Sequence, residues 1–266
     1  VNPGTVDLKR LAAYRQAGIG RISLGVQSLN DANLVHLGRI HTSVQARAAI
    51  EAAWAAGFQC LNLDMMFGLP GQTPALAKRD LLAALAFAPG HLSYYQLTIE
   101  PGTAFARHPP VCPDEDALGD MQAQGIEILA QAGHAHYEVS AFARPGHACR
   151  HNLNYWRFGD YLGLGAGAHG KLTAPGCLAV KRHWCHAEPQ RYMAAIEAGD
   201  NGWAGQQTLG LAERCFEALQ NGLRLRGGVD WVTLSRHAGL SKAMIMTAAE
   251  QALTQGWLWQ DRKSVV

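Results

Sequence analysis

Along the first two-thirds of the chain, apolar positions alternate between helical spacing and short continuous runs. Leu8, Leu11, Ala12 and Arg15 share one helical face, so a helix is expected from a cap at Thr5 through Gln16, closed by Gly18. Arg21-Ile22-Ser23-Leu24-Gly25-Val26 reads as a strand, and Asn30 or Asp31 as the start of a second helix. Ser43 is the expected cap of an Ala-rich helix through Ala56, Gly57 stops it, and Cys60-Leu61-Asn62-Leu63-Asp64-Met65-Met66 reads as a buried strand. Thr73-Pro74 pairs a capping hydroxyl with a proline at the first helical position, opening a helix through Phe87. Residues 92–98 form the next expected strand. Pro113-Asp114-Glu115-Asp116 places three carboxylates at the positive end of a helix that reaches about Gln131, and 136–140 is strand-like. Strand and helix recur every ~30–40 residues, the period of consecutive βα units, so a parallel sheet or barrel is favoured. Four strands do not close a barrel, which makes this a partial one.

After Gly170 the rhythm changes. Pro175-Gly176 marks a turn, 188–198 a helix, and 201–207 a polar linker. Helices follow from Leu209 to about Leu223, over 230–237 and over 241–255, then a short strand at Trp257-Leu258-Trp259. Three helices and a hairpin make a small winged-helix-like module. The expected organisation is therefore α/β: a partial (β/α) barrel over 1–175, a linker and helix over 176–207, and a C-terminal helical domain over 208–266.

Composition narrows the function. The 266 residues are 48% hydrophobic and 17% charged, which excludes a disordered chain. With 23 basic and 21 acidic residues the net charge is +2, too balanced to imply a nucleic-acid partner. The expected third helix of the module carries only Lys242 and Glu250, a poor DNA-reading surface. No apolar run reaches the ~18 residues of a membrane span, and no signal peptide is visible, so a cytoplasmic protein is expected. Six cysteines, Cys60, Cys112, Cys149, Cys177, Cys185 and Cys215, contain no CxxC pair and read as reduced thiols.

Three segments carry candidate chemistry. Gly68-Leu69-Pro70-Gly71-Gln72-Thr73 follows a strand at the rim where barrels build their sites; it reads equally as an anion-binding loop and as an ordinary tight turn. Asp64 lies in an otherwise apolar strand and requires partners, for which Gln27 and Arg39 are candidates; a buried salt bridge is the structural reading and a ligand contact the functional one. His147-Ala148-Cys149-Arg150-His151-Asn152-Leu153-Asn154-Tyr155-Trp156 combines imidazoles, a thiol and aromatics. His and Cys are common haem-iron ligands, Tyr and Trp offer flat apolar faces, and a buried core histidine is the competing reading. The run Gly163-Leu164-Gly165-Ala166-Gly167 lacks the acidic residue of a dinucleotide fingerprint and is rejected as one.

Together these segments resemble the HemW-type haem chaperones, relatives of oxygen-independent coproporphyrinogen III oxidase in the radical S-adenosylmethionine (SAM) superfamily. The resemblance is carried by Asn2-Pro3-Gly4-Thr5, Arg21-Ile22-Ser23-Leu24-Gly25-Val26-Gln27-Ser28, Leu37-Gly38-Arg39-Ile40-His41 and Asn62-Leu63-Asp64-Met65-Met66-Phe67-Gly68-Leu69-Pro70-Gly71-Gln72. Further on come Tyr95-Gln96-Leu97-Thr98-Ile99-Glu100-Pro101-Gly102-Thr103, Tyr137-Glu138-Val139-Ser140 and His151-Asn152-Leu153-Asn154-Tyr155-Trp156. The last block favours the chaperone branch; the alternative is the oxidase, which decarboxylates coproporphyrinogen III oxidatively. The resemblance implies a partial radical-SAM barrel with Gln27, Arg39 and Asp64 as SAM contacts. It also implies His151 as the haem-iron ligand, with Tyr155 and Trp156 around the macrocycle; Cys149 is an alternative ligand on chemistry alone. Implied partners are haem and an acceptor haemoprotein, membrane-associated in the leading reading, with a homodimer left open. The family's CxxxCxxC loop, which holds a [4Fe–4S] cluster, is absent, as is the Gly-rich SAM motif that follows it. The chain, which does not begin with Met, is thus expected to lack about a hundred N-terminal residues of its parent and not to cleave SAM by itself.

Overall fold

The computed structural model describes residues 1–174, 176, 179–258 and, for the backbone, 264–265. Two compact units result, Val1–Ala148 and Cys149–Val266. The domain boundary that the sequence predicts at residue 175 lies outside the described residues, as does Cys177.

In the first unit, helix α1 (Leu8–Gln16) precedes β1 (Arg21–Gln27), α2 (Asp31–His36), α3 (Ser43–Ala55), β2 (Cys60–Phe67), α4 (Pro74–Leu85), β3 (His91–Gln96), α5 (Ala104–Arg107), α6 (Glu115–Gln131), β4 (Ala135–Glu138) and β5 (Ala141–Ala143). The helix caps follow local chemistry closely. Asp7, not Thr5, caps α1 by accepting from the Arg10 N–H, because Thr5 ends a separate 3-10 turn over Pro3–Thr5. Thr42 rather than Ser43 caps α3, and Gln45 completes a capping box with it. Thr73 caps α4 with Pro74 first in the helix, as the sequence predicts.

The sheet has the order β1-β2-β3-β5-β4. Its first three strands are parallel, in the register Ser23↔Asn62↔His91. The strand expected at 136–140 is instead a hairpin: β5 runs antiparallel to β3, and β4 antiparallel to β5. The sheet is therefore mixed, open and α/β. Alternate residues Leu24 and Val26, Leu61, Leu63 and Met65, and Leu92 are buried in one core with Ala49 and Ile50 of α3, Leu81 of α4 and Leu129 of α6. Side chains at period two point the other way, which leaves Ser23, Asn62, Asp64, His91, Ser93 and Tyr95 on the opposite face.

The second unit contains α7 (Arg150–Trp156), β6 (His169–Thr173), β7 (Val180–Cys185), α8 (Pro189–Glu197), β8 (Trp203–Thr208), α9 (Leu211–Gly222), β9 (Val229–Asp230), α10 (Trp231–Ala238), α11 (Lys242–Thr254) and β10 (Ser264–Val265). The expected linker at 201–207 is a strand, β8, in an antiparallel sheet ordered β6-β7-β8. Only Gly170 and Lys171 in β6 and Val180, His183 and Cys185 in β7 are buried, so no simple apolar pattern announced it. Three helices and the short β9–β10 pair form the winged-helix-like end. Trp257 and Leu258 are not in a strand, and Trp259 lies outside the described residues. A buried cation organises this unit. Lys171 is 1% exposed and donates to Asp160 (2.8 Å), Thr173 (3.0 Å) and the carbonyls of Phe158 and His237. Burial raises the Asp160 pKa, but the Lys171 and Thr173 hydrogen bonds outweigh it and hold the carboxyl below its usual value. No helix among the described residues is long and apolar enough to cross a membrane.

Candidate functional site

In the first unit the polar face of the sheet forms one connected network. Asn62 donates through Nδ2 to Asp64 (2.7 Å) and to Ser23 (2.7 Å), and Ser23 donates to the second Asp64 oxygen (3.1 Å). Asn62 Oδ1 lies 2.6 Å from His91 Nδ1, and His91 Nε2 lies 2.8 Å from the Tyr137 hydroxyl. An amide oxygen only accepts, so Nδ1 carries the proton and Nε2 accepts from Tyr137. His91 is 1% exposed, and burial, reinforced by the positive charges of Arg21, His134 and His147, lowers its pKa to about 3. It is a neutral imidazole that passes hydrogen-bond direction from β4 to the Asp64 carboxylate.

Gln27 ends β1 with φ 67°, in the left-handed region, at 4% exposure. Its Oε1 accepts from the Tyr95 hydroxyl at 2.7 Å. Its Nε2 folds back over Gly25, where a Cβ would meet it at 3.1 Å, so glycine makes the approach possible. The turn after Gln27 is pinned from α4. Asp80, 7% exposed, accepts from the Ser28 hydroxyl and from the Leu29 N–H (2.6 Å), and burial raises its pKa. Burial also raises the Tyr95 pKa, with Asp64 adding to the rise and Arg39 and the Gln27 hydrogen bond opposing it.

The sequence-predicted residues therefore meet through intermediaries. Asp64 is satisfied by Ser23 and Asn62, and no ion pair joins it to Arg39 among the described residues; the Arg39 guanidinium reaches Asn2 Oδ1 at 3.5 Å instead. Tyr95 links the two halves, bonded to Gln27 and within the fields of Asp64 and Arg39. Ser23, Asn62, His91 and Tyr95 were missed as site residues. The signal that finds them is polar residues at period two, stacked by the parallel register. The segment Gly68–Thr73 is a tight turn: Gly68 and Gly71 have φ near 70°, and Gln72 Oε1 accepts from the Leu69 N–H.

In the second unit Cys149 is the N-cap residue of α7, which carries the remaining candidates. His151 is exposed, with its ring 5.4 Å from that of Tyr155, and Tyr155 stacks on Tyr161 at 4.3 Å. Trp156 contacts Tyr155 edge-on and takes the Arg224 guanidinium over its face at 4.3 Å, with its indole N–H buried and without an acceptor among the described residues. Arg150, His151, Leu153, Asn154, Arg157 and His237 line a cavity of about 460 Å³, within the ~300–1,000 Å³ range of small-molecule sites. Histidine on an open aromatic-backed surface suits a planar metal-bearing ligand. The Gln27, Tyr95, Asp64 and Arg39 set offers donors and acceptors suited to an amino-acid-bearing nucleoside. Among the described residues no group of three or more His, Cys, Asp or Glu is placed to hold a metal ion.

Residues 1–81, which include the first two parallel strands and their polar face, match the model of the Radical SAM superfamily. Over its full length the chain superposes with a TM-score of 0.77 on the coproporphyrinogen III oxidase HemN from Escherichia coli, a radical SAM enzyme, covering 64% of it at 20% identity. That likeness shows the fold. The chain is 42% identical over 263 residues to the heme chaperone HemW of Haemophilus influenzae, covering 99% of this chain and 67% of that protein. To heme chaperone HemW of Escherichia coli it is 42% identical over 261 residues, covering 97% and 66% respectively. The chain belongs to the HemW haem chaperone family, and spans about two-thirds of the length of these relatives.

Proposed function

We propose that this chain carries the haem-binding part of a haem chaperone, with His151 offering an imidazole nitrogen to the iron. The observation that carries the reading is the exposed His151 on α7, one turn from the Tyr155–Tyr161 stack, in a chain of the HemW family. Tyr155 supplies a flat face near the porphyrin. Trp156, with the Arg224 guanidinium over its ring, stands beside it around the macrocycle. The acceptor is a haemoprotein at the cytoplasmic face of a membrane, served from the cytoplasm by a monomer or homodimer.

Gln27, Arg39 and Asp64 contact SAM in this reading. Arg39 grips the methionine carboxylate, and Asp64 and Gln27, oriented by Asn62 and Tyr95, bond its polar groups. No ligand set for the cluster that would cleave SAM is found among the described residues, and no radical step is assigned to this chain. The coproporphyrinogen III oxidase reading rests on fold likeness alone and requires that cluster. A haem titration followed in the Soret region tests the proposal. A stoichiometric shift with the native chain, lost in His151→Ala, is expected; an unaltered shift and affinity in the variant would refute His151 as the ligand.

A further inference from the structure

The cavity beside His151 has a lining that iron ligation does not explain. Arg150, Leu153, Asn154 and Arg157 stand at i, i+3, i+4 and i+7 and so share one face of α7 and its C-cap. With His151 and His237 they contribute two guanidiniums, two imidazoles, an amide and one apolar side chain, and no carboxylate. Arg150 and Arg157 are both exposed, and neither forms an ion pair among the described residues. Asp230 feels the charge of Arg157, but its oxygens are taken by the N–H and hydroxyl of Thr233. His237 is fixed, its Nδ1 2.7 Å from the Arg157 carbonyl, so it holds α10 against the end of α7. Asn154 is likewise anchored, donating to the Asp160 carbonyl at 2.9 Å. The floor is built and the two guanidiniums are left to a ligand.

Guanidinium pairs bidentately with carboxylate. Haem carries two propionate carboxylates, and the lining presents two arginines about two turns apart on one helix face with no acidic residue among the lining side chains. We infer that Arg150 and Arg157 bind the propionates of haem, so that the site selects porphyrins bearing free carboxylates. The inference rests on the haem reading above and adds to it the edge of the ligand that the protein recognises.

The test compares haem with its dimethyl ester, in which both carboxylates are blocked, on the full chain and on Arg150→Gln/Arg157→Gln. Both side chains are exposed, so the fold should persist, and circular dichroism checks this. The lysine pair Arg150→Lys/Arg157→Lys keeps the charge and removes the bidentate geometry. The native chain is expected to bind haem at least tenfold more tightly than the ester. The glutamine pair should lose about tenfold per arginine toward haem, as charge-assisted hydrogen bonds of this kind imply, and nothing toward the ester. The lysine pair should fall between. Equal haem affinity in native chain and glutamine pair, with the His151-dependent Soret shift intact, overturns the propionate assignment and leaves haem binding standing. No His151-dependent shift in the native chain overturns the haem reading itself, and the propionate assignment with it.

Discussion

His91 converts the polar network into a pH-dependent contribution to stability. Its folded pKa of about 3 lies below the ordinary 6.5, so its contribution is fully present above pH 6.5 and is lost as pH falls toward 3. Protons bound only by the unfolded chain cost the native state about 1.4 kcal/mol per pH unit in that window. Between pH 7.5 and 5.0 the loss is about 2 kcal/mol. His91→Gln removes this dependence. It also takes the donor from Asn62 Oδ1, so at pH 7.5 the variant should be less stable by about 1–3 kcal/mol. The stability difference between the two proteins should therefore shrink by about 2 kcal/mol as pH falls to 5.0. Urea unfolding at pH 7.5, 6.5, 5.8 and 5.0, followed by far-UV circular dichroism, measures it, since the other titrating groups cancel in the difference. A difference that stays constant over this range would refute the burial and tautomer argument.

Lys171→Met should destabilise the second unit by about 2–3 kcal/mol, below the full cost of breaking a buried pair because Asp160 is partly exposed; thermal unfolding by tryptophan fluorescence checks it. For Asp80 the sign is opposite to that of His91. Its raised folded pKa means that native stability falls as pH rises above 3.8, so the advantage of the native chain over Asp80→Asn should narrow with rising pH in urea titrations. Gly25→Ala places a methyl against the Gln27 amide and should loosen the Tyr95–Gln27 bond, which opposes the rise of the Tyr95 pKa, so the Tyr95 phenol should move further up in an ultraviolet pH titration. Thr42→Ala removes half of a capping box and should cost about 1 kcal/mol of stability.

The parallel half of the sheet was legible because its strands are apolar runs between well-marked caps. Asp64 stood out for the same reason: a carboxylate in such a run needs partners. Which partners it finds was not legible. Ser23 and Asn62 reach it through strand register, a long-range property, whereas Arg39 and Gln27 were chosen for their places near element ends. The hairpin was misread because β5 is three small or aromatic residues immediately after β4. The β6–β8 sheet escaped because Lys171, Arg182 and His183 sit in its strands; Lys171 is accommodated by Asp160, Arg182 by Glu217 and His183 by stacking on Trp203, partners that strand patterning does not reveal. The α7 segment was readable as chemistry, but the arginines beside His151 acquired meaning only when the helix face and His237 were brought together.

The register that builds the polar face also orders events in time. Ser23 and its neighbour Asn62 are 39 positions apart, so on a ribosome adding ~5–20 residues per second β1 waits about 2–8 s for its neighbour strand. The β4–β5 hairpin, with Glu138 opposite Ala141, needs almost no waiting, and hairpins of this kind close in about 1–10 μs. Within the first unit the wait is longest for β3, whose partner strand β5 lies further on in the chain than β2 lies from β1, and the open edge of β3 must be kept from other partners by whatever surrounds it during those seconds.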